Sequence, residues 1–156
     1  MSEIESSASE ALVADWRDLL ARHAATACAL DRELGEHHGL GMSEFEVLER
    51  LAEDQDATAD HLLRVQELAA TVHLSQSALS RLIGRLEKAG LVSRAMCELD
   101  RRGIYVTLTE DGRTRYEEAR PLHRAVLART LTAPLGDPAA GRPCPARPVD
   151  SGGPTH

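Results

Sequence analysis

Apolar positions along the chain recur first at helical spacing, then at strand spacing, then at helical spacing again. Leu12, Trp16, Leu19, Leu20, His23, Ala27, Leu30 and Leu34 share one side of a long helix expected from about residue 9 to about residue 38, ended by Gly39 and Gly41. A second helix is expected from Ser43. Ser43 and Glu46 have the S-x-x-E spacing of a capping box, Met42 and Val47 are placed as a hydrophobic staple, and Phe45, Leu48 and Leu51 face inward. The acidic stretch EDQDATAD (53–60) reads as a connection, and His61 to Arg64 as a short strand pairing with a later hairpin. Val65 to Val72 carries Leu68, Ala69 and Val72 at helical spacing, and His73 and Leu74 link it to the next helix.

That helix, within SQSALSRLIGRLEKA (75–89), has the sharpest pattern in the chain. Leu79, Leu82, Ile83 and Leu86 form an i, i+3, i+4, i+7 stripe, while Ser77, Ser80, Arg81, Arg85 and Lys88 take the opposite side. Ser75 is positioned as its N-cap, and Gly90 as the left-handed residue that ends it. Two short helices with a tight link form a helix-turn-helix signature. Two strands are expected next, Leu91 to Ala95 and Ile104 to Leu108, separated by the loop MCELDRRG. Thr109 then caps a last helix whose first turn holds Glu110 and Asp111. Its apolar side is Tyr116, Ala119, Leu122 or His123, Val126 and Leu127, with a kink expected at Pro121. The acidic, Ser-rich residues 1–8 and the Pro/Gly-rich residues 132–156 are expected to be disordered.

Composition changes this picture in one respect. A net charge of −7 argues against a nucleic-acid partner, but the charge is unevenly placed. Residues 1–60 hold 15 acidic and 4 basic residues, whereas residues 75–102 hold 6 basic and 3 acidic. The basic residues therefore gather in the second helix of the pair and the hairpin, where guanidinium, hydroxyl and amide groups suit phosphates and base edges. At 156 residues and 42% hydrophobic content the chain suits one globular domain. Without an apolar run of membrane length or a secretion leader, it is expected in the cytoplasm.

The run LAATVHLSQSALSRLIGRLEKAGLVSRAMCELDRRGIYVTLTEDG resembles the MarR family of bacterial transcriptional regulators. The D-x-R pair at Asp100 and Arg102 and the L-T-x-x-G exit at Leu108, Thr109 and Gly112 belong to the likeness, which spans roughly residues 10–130. It implies a mainly helical winged helix-turn-helix with a small hairpin wing. The regulator domain would span 9–131, with a DNA-binding core at about 43–108 and dimerisation helices at about 9–38 and 109–131. The implied partners are double-stranded DNA, a second copy of the chain and a small-molecule effector. The implied role is repression at a pseudo-palindromic operator. Carried over by position, DNA contacts fall to Ser75, Gln76, Ser77, Ser80, Arg81 and Arg85, with Arg101 on phosphate, Arg102 in the minor groove and Asp100 orienting it. The Pro/Gly-rich tail departs from the family, which usually ends in a further dimerisation helix.

Other chemistry is weaker in the sequence. Cys28, Cys97 and Cys144 form no CxxC pair, and ATACALD around Cys28 supplies no activating cation for redox sensing. His37 and His38 with Glu33 and Glu36 lack the H-x3-H spacing of a helical zinc site. No metal or cofactor is expected, and no nucleophile–base pair or phosphate loop points to an enzyme. Trp16, Arg17 and His23 are candidates to line an effector pocket, but with one Trp, one Phe and two Tyr the sequence does not define one. The readings that compete with a ligand-released repressor are a metal- or redox-responsive regulator of the same fold and a winged-helix module that binds protein instead of DNA.

Overall fold

The computed structural model describes residues 2–57, 63–97 and 100–133, with backbone alone at 2, 3, 97 and 100–102. Its elements run α1 (Ser2–His38), α2 (Met42–Ala57), β1 (Leu63–Arg64), α3 (Val65–Val72), α4 (Gln76–Lys88), β2 (Val92–Cys97), β3 (Asp100–Leu108) and α5 (Glu110–Thr132). The strands form one antiparallel sheet in the order β1-β3-β2. This is the mainly helical winged helix-turn-helix that the periodicities predict. The short strand before α3 pairs with the wing as expected, Leu63 opposite Val106 and Arg64 opposite Tyr105. The tail from residue 134 onward lies outside the described residues.

Three boundaries differ from expectation. The first helix begins at Ser2, not near residue 9, because Ala, Glu and Ser in the leader continue its turns without a breaker. The second begins at Met42, so Ser43 lies inside its first turn and the Ser43–Glu46 box does not cap it. Gly41 takes the cap position instead: its carbonyl accepts from Phe45 N–H at 3.0 Å, and its own N–H donates to Glu44 Oε2 at 2.9 Å. The next free N–H, on Met42, donates to Asp31 Oδ1 of α1 at 2.8 Å, a cap supplied from another helix. Third, β3 reaches back to Asp100, so Asp100 to Arg102 belong to a strand where a loop was expected.

One core joins all the elements. Phe45, Leu48 and Leu51 of α2, Leu68 of α3, Leu79, Leu82, Ile83 and Leu86 of α4, Val106 of β3 and Val126 of α5 are buried together with Leu30 and Leu34 of α1. On α5, His123 and not Leu122 takes the inward position, stacked on Phe45 with ring centres 4.2 Å apart. His123 Nδ1 accepts from Arg124 Nη1 at 2.7 Å, since a guanidinium can only donate. Arg124 also makes a two-point ion pair with Glu49, a buried carboxylate on α2. Burial, aided by the Arg124 charge, holds His123 below the ordinary imidazole value.

The first and last helices lie antiparallel and clasp each other's ends. Arg115 near the start of α5 donates to the His38 carbonyl at 2.8 Å, and Arg22 of α1 donates to the Leu131 carbonyl at 2.8 Å. Between them Thr26 and Thr130 share a buried hydroxyl–hydroxyl bond of 2.9 Å. The part of α1 before Arg22 therefore projects beyond α5. There Leu12, Trp16, Leu19 and Leu20, four of the eight positions that the spacing predicts to be buried, are 69%, 57%, 60% and 46% exposed.

Candidate nucleic-acid interface

The proposed reading helix is built by local signals that all agree. Ser75 Oγ accepts from Ala78 N–H at 3.2 Å, which satisfies one of the orphan donors of the first turn. At the other end, Gly90 N–H reaches the Glu87 carbonyl at 3.0 Å and Leu91 N–H the Leu86 carbonyl at 2.9 Å. This paired closure needs a left-handed residue, and Gly90 supplies it with φ +77°. Leu86 and Leu91 are both buried under the closure. The stripe Leu79, Leu82, Ile83 and Leu86 is buried as the spacing predicts, which leaves Gln76, Ser77, Ser80, Arg81 and Arg85 exposed beside Ser75. Six of the nine residues singled out in the sequence therefore lie on one helix and its cap. The remaining three, Asp100, Arg101 and Arg102, are on β3 by backbone, and their side chains lie outside the described residues, as does that of Cys97.

The link before this helix is tight because His73 adopts φ 56°, a left-handed conformation at the end of α3. On the far side, β2 and β3 pair from Val92 opposite Leu108 out to Met96 opposite Ile104. Glu87 fixes this wing to the helix. One of its oxygens accepts both the backbone N–H and the Nε of Arg94, at 3.2 and 3.1 Å, and the other accepts Nη2 at 3.2 Å. The Arg94 hydrogen bond holds the Glu87 carboxyl below its ordinary value, and the same bond raises the guanidinium. Arg94, counted above among the basic residues of the interface, is thus committed to the frame.

A second carboxylate restrains the interface from α2. Glu44, fixed by the Gly41 N–H on one oxygen, places the other 3.4 Å from Arg85 Nε. Arg85, Leu82 and Glu44 border a cavity of about 490 Å³ that is also lined by Asp31 and Gly35 of α1 and by Leu40 just after it. Trp16, Arg17 and His23, expected to line a pocket, are not among its lining residues. Glu87, Glu44 and the buried Glu49–Arg124 pair were not singled out from the sequence, since their partners lie 7, 41 and 75 residues away.

Cys28 is half-buried on α1. Among the described residues, no three His, Cys, Asp or Glu side chains gather as a metal site, and no helix is long and apolar enough to cross a membrane.

Comparison with known proteins agrees with this geometry. A family model described as MarR family matches residues 38–103. The HTH-type transcriptional repressor MdtR of Bacillus subtilis is 34% identical over 70 residues, a segment that covers 45% of each chain. The chain thus spans less than half the length of that relative. Among solved structures, AbsC, a MarR family transcriptional regulator from Streptomyces coelicolor, is 35% identical with a TM-score of 0.67 over 78% of this chain and 80% of its own. A second MarR family regulator from Streptomyces coelicolor, solved in complex with DNA, is 31% identical with a TM-score of 0.69 over 80% and 74%. With two relatives above 30% identity matched over most of their length, the chain belongs to the MarR family of transcriptional regulators.

Proposed function

We propose that the chain acts in the cytoplasm as a homodimeric repressor that binds a pseudo-palindromic operator and is released by a small-molecule effector. The observation that carries this reading is the divided α4, with four buried leucine and isoleucine side chains behind and Gln76, Ser77, Ser80, Arg81 and Arg85 in front. Such a face suits a major groove: hydroxyls and amides near the helix start reach base edges, and guanidiniums grip phosphate or guanine. Arg102 on the wing enters the minor groove, oriented by Asp100, with Arg101 on phosphate. Repression follows the relative named as a repressor, and DNA as partner follows the relative solved on DNA.

The exposed apolar stripe at Leu12, Trp16 and Leu19 supports the second copy, because nothing in its own chain covers it among the described residues. Two-fold symmetry then sets the recognition helices about 34 Å apart, one turn of duplex. The cavity between the end of α1 and Arg85 supports an effector site, where a bound molecule bears directly on the reading helix.

The test is a fluorescence-anisotropy titration against duplex from the gene's own upstream region and scrambled duplex, at two salt concentrations. The expected result is preference for the upstream duplex, with affinity falling steeply as salt rises. Arg102→Ala should weaken binding at least tenfold, about 1.4 kcal/mol, with the melting curve unchanged. Equal, salt-insensitive binding by parent and variant would favour the protein-binding module.

A further inference from the structure

Glu44, in the first turn of α2, spans from the turn after α1 to the recognition helix. Its Oε2 accepts the Gly41 N–H at 2.9 Å, and its Oε1 lies 3.4 Å from Arg85 Nε, 41 residues along the chain. The turn packs closely around this carboxylate: a Cβ at Gly41 would stand 3.9 Å from the Glu44 carboxyl carbon and 3.4 Å from Asp31 Oδ1. The two ends of the ion pair therefore differ in freedom, since the Glu44 side chain is 20% exposed and that of Arg85 is 64% exposed. Glu44 is the fixed partner and Arg85 the held one. Along α4, Ser77, Arg81 and Arg85 recur every four residues, so the held guanidinium continues the exposed face of that helix.

We propose that Glu44 is a positioning residue for sequence readout: it holds Arg85 at Nε and so presents the two terminal nitrogens of the guanidinium to a guanine edge in the major groove. The inference rests on the DNA-binding reading above and adds a residue which that reading does not contain. A guanidinium carries its donors in a flat fork, and with Nε taken the two Nη groups remain, a pair that can bond guanine O6 and N7 together. An ion pair this open to solvent contributes only about 0 to 1 kcal/mol to folding. Its effect falls on orientation instead. An arginine already held at one nitrogen loses less side-chain freedom when it meets a base. The Glu44 charge also offsets that of Arg85 toward phosphates, which are alike in every sequence. Both effects favour the correct base edge over bare backbone, so the pair sets selectivity more than affinity.

The experiment compares Glu44→Gln, Arg85→Ala and the double variant with the full parent chain, by anisotropy against upstream and scrambled duplexes. Glutamine keeps the length of the side chain but has one acceptor oxygen in place of two and carries no charge. Glu44→Gln should lower the upstream-to-scrambled affinity ratio about threefold or more, through weaker binding of the upstream duplex, and the double variant should be no worse than Arg85→Ala. That non-additivity separates positioning from a merely structural role. Arg85→Lys gives a second test that leaves Glu44 untouched: it keeps the charge and loses the fork, so its ratio should fall as far as that of Arg85→Ala. Melting curves matching the parent establish folding. The proposal is overturned if folded Glu44→Gln keeps the parental ratio, if the two single losses multiply in the double variant, or if Arg85→Lys binds as the parent does. A parent that binds neither duplex, or both alike, overturns the operator reading itself and this inference with it. A parent that prefers the upstream duplex while Glu44→Gln retains that preference overturns this inference alone.

Discussion

The recognition helix and the first helix carry the same kind of apolar stripe and meet opposite fates. In α4 the four stripe residues are buried by the chain's own α3, wing and core. In α1 the stripe is fully buried only at Leu30 and Leu34, and Leu12, Trp16, Leu19 and Leu20 remain in the open. Periodicity reports that a face wants cover; it does not report whose atoms provide it. The winged-helix body buries its stripes within one chain, whereas the apolar face of the first half of α1 is left uncovered among the described residues.

The largest expected effect sharpens that contrast. Leu79→Ala, at a fully buried position, should cost about 2–5 kcal/mol in urea denaturation, at any protein concentration. Trp16→Ala should act differently, removing the dimer proposed above in sedimentation velocity and abolishing the concentration dependence of the melting temperature that such a dimer would bring. If Trp16→Ala instead lowers stability equally at all concentrations, the arm belongs to the same folding unit as the body and the contrast fails.

Gly112→Ala comes next. A Cβ there would sit 2.0 Å from the Leu91 carbonyl oxygen, so α5 could not dock against the start of the wing without moving backbone. A loss of about 1–3 kcal/mol is expected, measured by thermal melting. This residue lies in the exit motif noted in the sequence, and its local partner Thr109 caps α5 as read there, accepting from Gly112 N–H at 3.0 Å. The motif was legible; the reason for its glycine was not, because the obstructing oxygen lies 21 residues back, in β2's approach.

That division holds across the molecule. The caps of α4 and α5, the wing strands and the helix-turn-helix link were readable because each depends on neighbours within a turn or two of chain. The start of α2 was misread because its cap comes from Asp31 on another helix. Glu49 and Arg124 were missed because a buried pair 75 residues apart leaves no periodic trace. At the candidate interface the exposed face of α4 was legible as a stripe's complement, while Glu44 and Glu87 become visible only when strands and helices are brought together.

The seam between body and α5 offers a third test, through pH. His123 is held below the ordinary imidazole value by burial and by Arg124, so the folded chain refuses a proton that the unfolded chain accepts below about pH 6.5. Stability should therefore fall as pH drops through that range and level off below the depressed native value. His123→Gln should show a shallower fall as pH drops below about 6.5 in denaturation measured at each pH. The smallest expected effect is at His73. Glycine in its left-handed position should stabilise the body by about 0.5–1 kcal/mol in urea titration, with no change in oligomeric state.

The mutual clasp of α1 and α5 has a geometric consequence. Arg22 and Arg115 measure α5 against α1 from opposite ends, like two stops on a ruler. Adding or deleting a single residue between them would turn everything beyond it by about 100° around the helix axis. The clasp thereby sets the angular phase between the open stripe on α1 and the exposed face of α4. In the symmetric dimer proposed above, that phase would determine which way the two α4 helices point, so spacing along the proposed operator would be encoded as much in helix length as in any residue that reaches a base.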